Sequence, residues 1–314
     1  MHPSRLPSFC CVLVSLACQA VPKTFSCPAR RGRGEACQGS VNVVPEPRLF
    51  ASEPHPRWFG NPGNPLPGTF ESKGWSNQNW LKSRFHFRFA EYSHGPGQFG
   101  VLKVMNDDLV QPRRGFGAHP HRDMEIVTFV VQGSLTHQDS TGIEETIGRG
   151  GIQYMTAGTG VVHSERNLQD HPLRFIQSWI VPRERGQRPN YGSMHGGATA
   201  NKSRLNTWFH AASDVARPQP TPVKLNQDCN VYVIELSRSK IGPPLTIELG
   251  RQAYLLCVEG DVLLADGDGQ RHSLHQHDGA ELKGPLLVEP SAGAEGSLVL
   301  VFEMQISEDT RGEF

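Results

Sequence analysis

Two short pairs of side chains limit what this chain can become more than its length does: His119-Pro120-His121 and His163-Ser164-Glu165. Side chains two apart on a β-strand point to one face, so each pair is a two-pronged set of ligands. Two such strands facing each other inside a small barrel would bring three imidazoles and one carboxylate to a point where a divalent transition metal fits. Pro120 has no amide hydrogen, which places the first pair at a strand start or a barrel rim.

The flanking sequence supports this reading. On the first ligand strand His119, His121, Glu125, Val127, Phe129 and Val131 share a parity, so regular pairing predicts that all point inward, imidazoles at the mouth. Gly133 ends that strand, a hairpin is expected around Ser140-Thr141-Gly142, and the chain turns again between Gly148 and Gly151. Val161, His163 and Glu165 then share an inward parity on the returning strand. Upstream, Trp80 to Tyr92 alternates, with Phe85, Phe87 and Phe89 on one face; Phe99 to Val110 begins as a strand and is expected to turn at Asn106-Asp107-Asp108. Residues 45–67, rich in Pro, Gly and Asn, read as an extended arm before the fold proper.

Composition agrees with an all-β protein: 33 Gly and 24 Pro divide the chain into short apolar runs. The length of 314 residues suffices for two domains. Equal numbers of acidic and basic side chains, 31 each, argue against nucleic acid and favour small or neutral partners. Of the seven cysteines only Cys229 and Cys257 lie beyond residue 37, which is no disulfide framework; both read as core thiols. The run FCCVLVSLAC at residues 9–18 is too short to span a bilayer but has the form of a signal segment, and the basic KTFSCPARRGRG after it has the composition of a transit peptide. Together they predict import into a plastid-like organelle and a mature form off the membrane; a cytoplasmic protein with an irregular N-terminus is the alternative.

GFGAHPHRDMEIVTFVVQG followed by MTAGTGVVHSERN resembles the two metal motifs of the cupin superfamily in the form found in pirins. The likeness extends through WLKSRFHF, NDD and PRRGFG before the motifs and FIQSWIVPRERGQRPNY after them. The remainder is similar to the bacterial pirin-like quercetinases with a short C-terminal cupin. The resemblance implies a bicupin with one iron-type metal in the N-terminal barrel, held by His119, His121, His163 and Glu165. Glu125 matches the glutamate that many other cupins use as a ligand, a role that passes to the Glu165 position in pirins. The expected organisation is an extension over residues 1–42, a metal-binding cupin over 43–185, a connection over 186–225 and a second cupin over 226–314. There LCVEGDVLLA echoes FVVQGSLTHQ, as a duplication would leave. No His-x-His precedes the echo, so the second barrel should be empty of metal, with His272, His275 and His277 on a solvated hairpin. Arg113-Arg114 reads as a solvated loop close enough to the mouth for substrate contact. The glycine-rich GGIQYMTAGTG has no helix pattern after it and is no phosphate loop.

A site of three His and one Glu leaves positions open on Fe(II), the expected metal, or on Mn, Ni, Co or Cu. That suits a quercetinase-type dioxygenase acting with O2 on a planar phenolic or enediol substrate, with Glu165 as ligand and base together. Phe116, Phe129, Phe175 and Trp179 suit a planar ligand and core packing equally. The rival is a non-enzymatic metal-binding regulator or redox-sensing interaction protein. A monomer is expected in either case.

Overall fold

The computed structural model describes residues 38–62, 80–217 and 219–306. The targeting segments lie outside these. In chain order the strands are β1 (Ser40–Val44), β2 (Phe50–Ser52), β3 (Leu81–Phe85), β4 (Leu102–Val110), β5 (Gly115–His121), β6 (Glu125–Gln132), β7 (Ser134–Asp139), β8 (Glu144–Gly148), β9 (Ile152–Thr156), β10 (Val161–Arg166), β11 (Leu173–Ile180) and β12 (Asn190–Met194). After the helix α1 (Ala198–Arg204) follow β13 (Phe209–Asp214), β14 (Val223–Leu225), β15 (Cys229–Leu236), β16 (Leu245–Ile247), β17 (Arg251–Asp266), β18 (Arg271–Leu274), β19 (Gly279–Lys283) and β20 (Leu286–Gln305).

The first barrel is formed by a seven-stranded sheet, β12-β9-β6-β11-β4-β3-β2, and a four-stranded sheet, β5-β10-β7-β8. The second is built from one nine-stranded sheet in which β17, β20 and β15 are central and β1 and β14 are edges. The protein is thus an all-β bicupin. The hairpin at Ser140-Thr141-Gly142 joins β7 to β8 and the turn after Gly148 leads into β9, as the turn residues predict. The turn that follows GGIQYMT leads into the strand β10.

The largest hydrophobic cluster lies between the barrels. Phe87, Val127, Phe129, Val131 and Ile176 of the first pack with Val231, Tyr254, Leu256, Leu300 and Phe302 of the second. Burying these faces is favourable at roughly 25 cal/mol per Å² of apolar surface removed from water. Cys229 belongs to this cluster and Cys257 to the second barrel's interior, both free and buried.

Three expectations need correction. The ligand strand is not continuous: β5 and β6 lie in different sheets, and the chain turns the corner at Arg122-Asp123-Met124 with Asp123 at φ 50°. The inward parity therefore changes. Thr128 and Val130 face the first interior, whereas Glu125, Val127, Phe129 and Val131 face the second barrel. Next, β4 runs straight through Asn106-Asp107-Asp108, because each aspartate finds a partner inside the fold: Arg174 for Asp107 and Ser83 for Asp108. Finally, the described part of the proposed arm, residues 45–62, is folded: β2 pairs antiparallel with β3 of the first barrel and a 3-10 turn at Pro56–Phe59 sits on β5, while β1, just before the arm, pairs with β19 of the second barrel. These pieces are too short for a periodicity to show.

Candidate metal centre

The register of β10 explains how the two pairs meet. On one side it pairs with β5, His163 opposite His119 and Val161 opposite His121, with a bulge between His163 and Glu165. The other side pairs with β7, His163 opposite Asp139 and Glu165 opposite His137. Alternation then turns three dyads inward side by side: His-x-His on β5, His-x-Glu on β10 and His137-Gln138-Asp139 on β7.

The donor atoms of His119, His121 and His163 lie within 4.8 Å of one another, and so do those of His137, His163 and Glu165. His163 is common to both groups. The three predicted imidazoles are therefore together, while Glu165 stands beside them on the His137 side. Glu125 is elsewhere, accepting hydrogen bonds from Thr156 (2.9 Å) and from Asn226 of the second half (3.2 Å). The corner before β6 carries it out of the site.

Hydrogen bonds fix which ring nitrogens are free. His119 Nδ1 donates to the Gly117 carbonyl at 2.7 Å, leaving its Nε2 as a lone pair. Nε2 of His137 donates to Asp139 at 3.0 Å, so its Nδ1 accepts from His163 Nδ1 at 3.4 Å and the His163 Nε2 is also a lone pair. These two lone pairs face each other across 3.1 Å. That arrangement repels itself unless a cation lies against both, and the spacing suits neighbouring ligands with bonds of about 2.0–2.1 Å. Burial, and then the neighbouring His119, lowers the His121 pKa to about 4. For His163 burial and the adjacent imidazoles lower it to about 2. Both rings stay neutral near pH 7, the form a metal needs. The donor set fits a divalent transition metal.

Glu165 is 2% exposed and held from two directions. One oxygen accepts from Gln153 at 3.2 Å and Thr128 at 3.4 Å, the other from Gln177. The two amides are themselves oriented. The Trp179 indole donates to the Gln177 oxygen at 3.1 Å, and the Tyr191 hydroxyl lies 3.2 Å from the Gln153 oxygen and 2.7 Å from Glu145. Tyr191 also stacks on His137, ring centres 4.7 Å apart. Sequence reasoning missed His137, Asp139, Gln153, Gln177 and Tyr191. The alternating pair in Thr136-His137-Gln138-Asp139 was a readable signal; the glutamines and the tyrosine carry none.

A cavity opens beside the imidazoles, walled by Phe59, Phe85, Phe116 and Trp179, with Trp58 at its edge. Trp179 meets the His121 ring edge-on at 4.7 Å. Phe129 and Phe175 are core residues, between the barrels and in the first interior respectively. Arg113 is solvated and paired with Asp170, but Arg114 is buried, contrary to the solvated-loop expectation. His275 is solvated and His272 bonds Asp266, whereas His277 is largely buried and bonds Asp107 of the first barrel at 2.6 Å. It is an inter-barrel residue.

Fold and site together define a bicupin whose N-terminal barrel holds a cluster of side chains that could ligate a metal ion. The pirin family profile matches residues 69–180 and that of the quercetinase C-terminal cupin domain matches residues 212–304. A Zymomonas mobilis protein provisionally named a quercetin 2,3-dioxygenase is 45% identical over 235 residues, 74% of this chain and 95% of that protein. Quercetin 2,3-dioxygenase of Escherichia coli K12 is 34% identical over 224 residues, 67% of this chain and 93% of the relative. The crystal structure of the bacterial pirin YhhW from Escherichia coli in complex with nickel(II) has a TM-score of 0.68 at 27% identity, covering 85% of this chain and all of that one. The chain belongs to the pirin family.

Proposed function

We propose that this protein is a metal-dependent dioxygenase that opens a flavonol or a related enediol with O2, using one metal held by His119, His121, His163 and Glu165. The observation that carries the reading is the three-imidazole cluster opening onto an aromatic-walled cavity. Fe(II) is the foremost candidate; Mn, Ni, Co and Cu suit the same donors. Bound there, the metal supplies Lewis acidity toward the chelating oxygens of the substrate and open positions for redox chemistry. The chain does the rest. The Phe116 and Trp179 rings flank a planar ring system and exclude water. Glu165 accepts the proton of the enolic hydroxyl, and the amides of Gln153 and Gln177 keep its carboxylate aimed. The relatives named quercetin 2,3-dioxygenase support the substrate class.

Metal-loaded protein mixed with quercetin in air should bleach the flavonol's near-visible band while consuming oxygen. Glu165→Gln, with metal content verified, should lower turnover by roughly two to four orders of magnitude, the usual scale for a general base. Absence of oxygen uptake with all five metals, across several flavonols and enediols, would leave the non-enzymatic metal-binding regulator as the better reading.

A further inference from the structure

The cavity beside the imidazoles has a polar wall as well as aromatic ones. On β4 Asn106 and Asp108 alternate with Asp107 and face the cavity, while Asp107 faces the second barrel. Asp108 lies opposite Ser83 on β3, whose hydroxyl bonds its carboxyl, and Asn106 lies opposite Gln177 on β11, the residue that holds Glu165. All three wall residues are at least nine-tenths buried: Ser83 0%, Asp108 2% and Asn106 5% exposed. The side-chain oxygen of Asn106 accepts no hydrogen bond. A buried acceptor left empty is unfavourable, so its position on a cavity wall calls for a donor from a ligand.

Asp107 and Asp108 are neighbours in opposite states. Asp107 forms a two-pronged pair with Arg174, whereas Asp108 has no cationic partner among the described residues. Burial raises the Asp108 pKa to about 8, with the Asp107 and Glu165 charges adding to it. Near pH 7 its carboxyl is neutral and carries an O–H. A neutral acid supplies a donor and Asn106 supplies an acceptor, which is the complement of one un-ionised hydroxyl group.

We propose that Asn106 and Asp108, with Ser83 holding the latter, form a hydroxyl-recognition subsite that selects phenolic ligands bearing a free hydroxyl remote from the metal-chelating pair of oxygens. The inference rests on the flavonol reading of the site. The hydroxyl donates to Asn106 Oδ1 and accepts from the Asp108 carboxyl. A methyl ether at that position has no proton to give and leaves the buried acceptor empty.

The test is anaerobic titration of nickel-loaded protein with quercetin and with 3-hydroxyflavone, which keeps the chelating oxygens but lacks remote hydroxyls, following the shift of the flavonol band. Wild type should bind quercetin at least about tenfold more tightly, and Asn106→Leu should lose roughly that factor for quercetin while leaving 3-hydroxyflavone unchanged. Equal wild-type affinities, or equal weakening of both ligands in the variant, overturn the subsite. Should Asn106→Leu fail to fold, single O-methyl ethers of quercetin decide on wild type: one of them must bind about tenfold more weakly, and a series of equal affinities overturns the proposal. If wild type binds neither flavonol, the flavonol reading falls and the subsite with it; binding without discrimination removes the subsite alone.

Discussion

Two imidazole lone pairs facing each other across 3.1 Å are held there by other side chains, and His137 matters as much as a ligand does. Fully buried between Asp139 and His163, it sets the tautomer of His163 and thereby turns a lone pair toward the site. His137→Phe keeps the ring and loses both hydrogen bonds. Metal affinity measured by chelator competition should fall roughly 10- to 100-fold, the usual effect of removing such a support. Unchanged affinity would reduce His137 to a space-filling residue. At this scale the imidazoles that the structure brings together, His119, His121 and His163, were legible in the sequence, because residue type and spacing coincide in them. It hid Gln153, Gln177 and Tyr191, whose roles depend on strands far apart in the chain.

Strands place these residues, and turns place the strands. His163 reaches His119 because β10 starts after the tight turn at Gly158 to Gly160 and pairs in the register that sets the two opposite each other. Gly158 has φ +46°, and a Cβ there would run into the Gln187 carbonyl; its own carbonyl accepts from the Asp123 amide at 2.9 Å. Gly158→Ala should therefore lose about 2 kcal/mol or more in denaturant unfolding. A wild-type midpoint and slope would show that the turn relaxes freely. The element scale is also where simple alternation failed. Arg122-Asp123-Met124 breaks the parity between β5 and β6 without any Gly or Pro to announce it, so Glu125 goes to the second barrel. The polar run Asn106-Asp107-Asp108 looked like a turn because its partners, Ser83 and Arg174, are remote in sequence.

The two barrels are joined by a shared apolar core with a charged cluster set into it. Arg174 is paired to Asp107 at 2.7 and 2.8 Å and donates to the Val258 carbonyl, while His277 approaches Asp107 from the second barrel. Burial opposes ionisation of Asp107, but Arg174 and His277 outweigh it and hold its pKa well below the usual carboxylate range. Removing one partner of such a pair strands a buried charge, so Arg174→Met should cost roughly 3–5 kcal/mol near neutral pH. The sign of the pH effect follows from the depressed pKa. The contribution of the pair is complete above the unfolded value of about 3.9 and fades as the pH falls below it. Urea unfolding curves should thus show the gap between wild type and variant narrowing in acid; a gap independent of pH would mean that Asp107 is not the residue left exposed to the loss.

What the sequence determined by itself is local: the alternation that makes strands, the glycines that end them, and ligand pairs whose two-residue spacing is meaningful only on a strand. Those sufficed for an all-β protein and for the three imidazoles, because side-chain direction within one strand depends on nothing beyond that strand; the bicupin followed from the resemblance of the motifs to pirins. The tertiary structure decided whatever required two strands at once. It chose the register that puts His163 between His119 and His137, the corner that takes Glu125 away, the remote partners that let Asp107 and Asp108 lie in β4, and the covering of Phe129 by the second barrel. Each is a competition among alternative pairings and burials, settled by the free energy of the whole assembly rather than by any single segment.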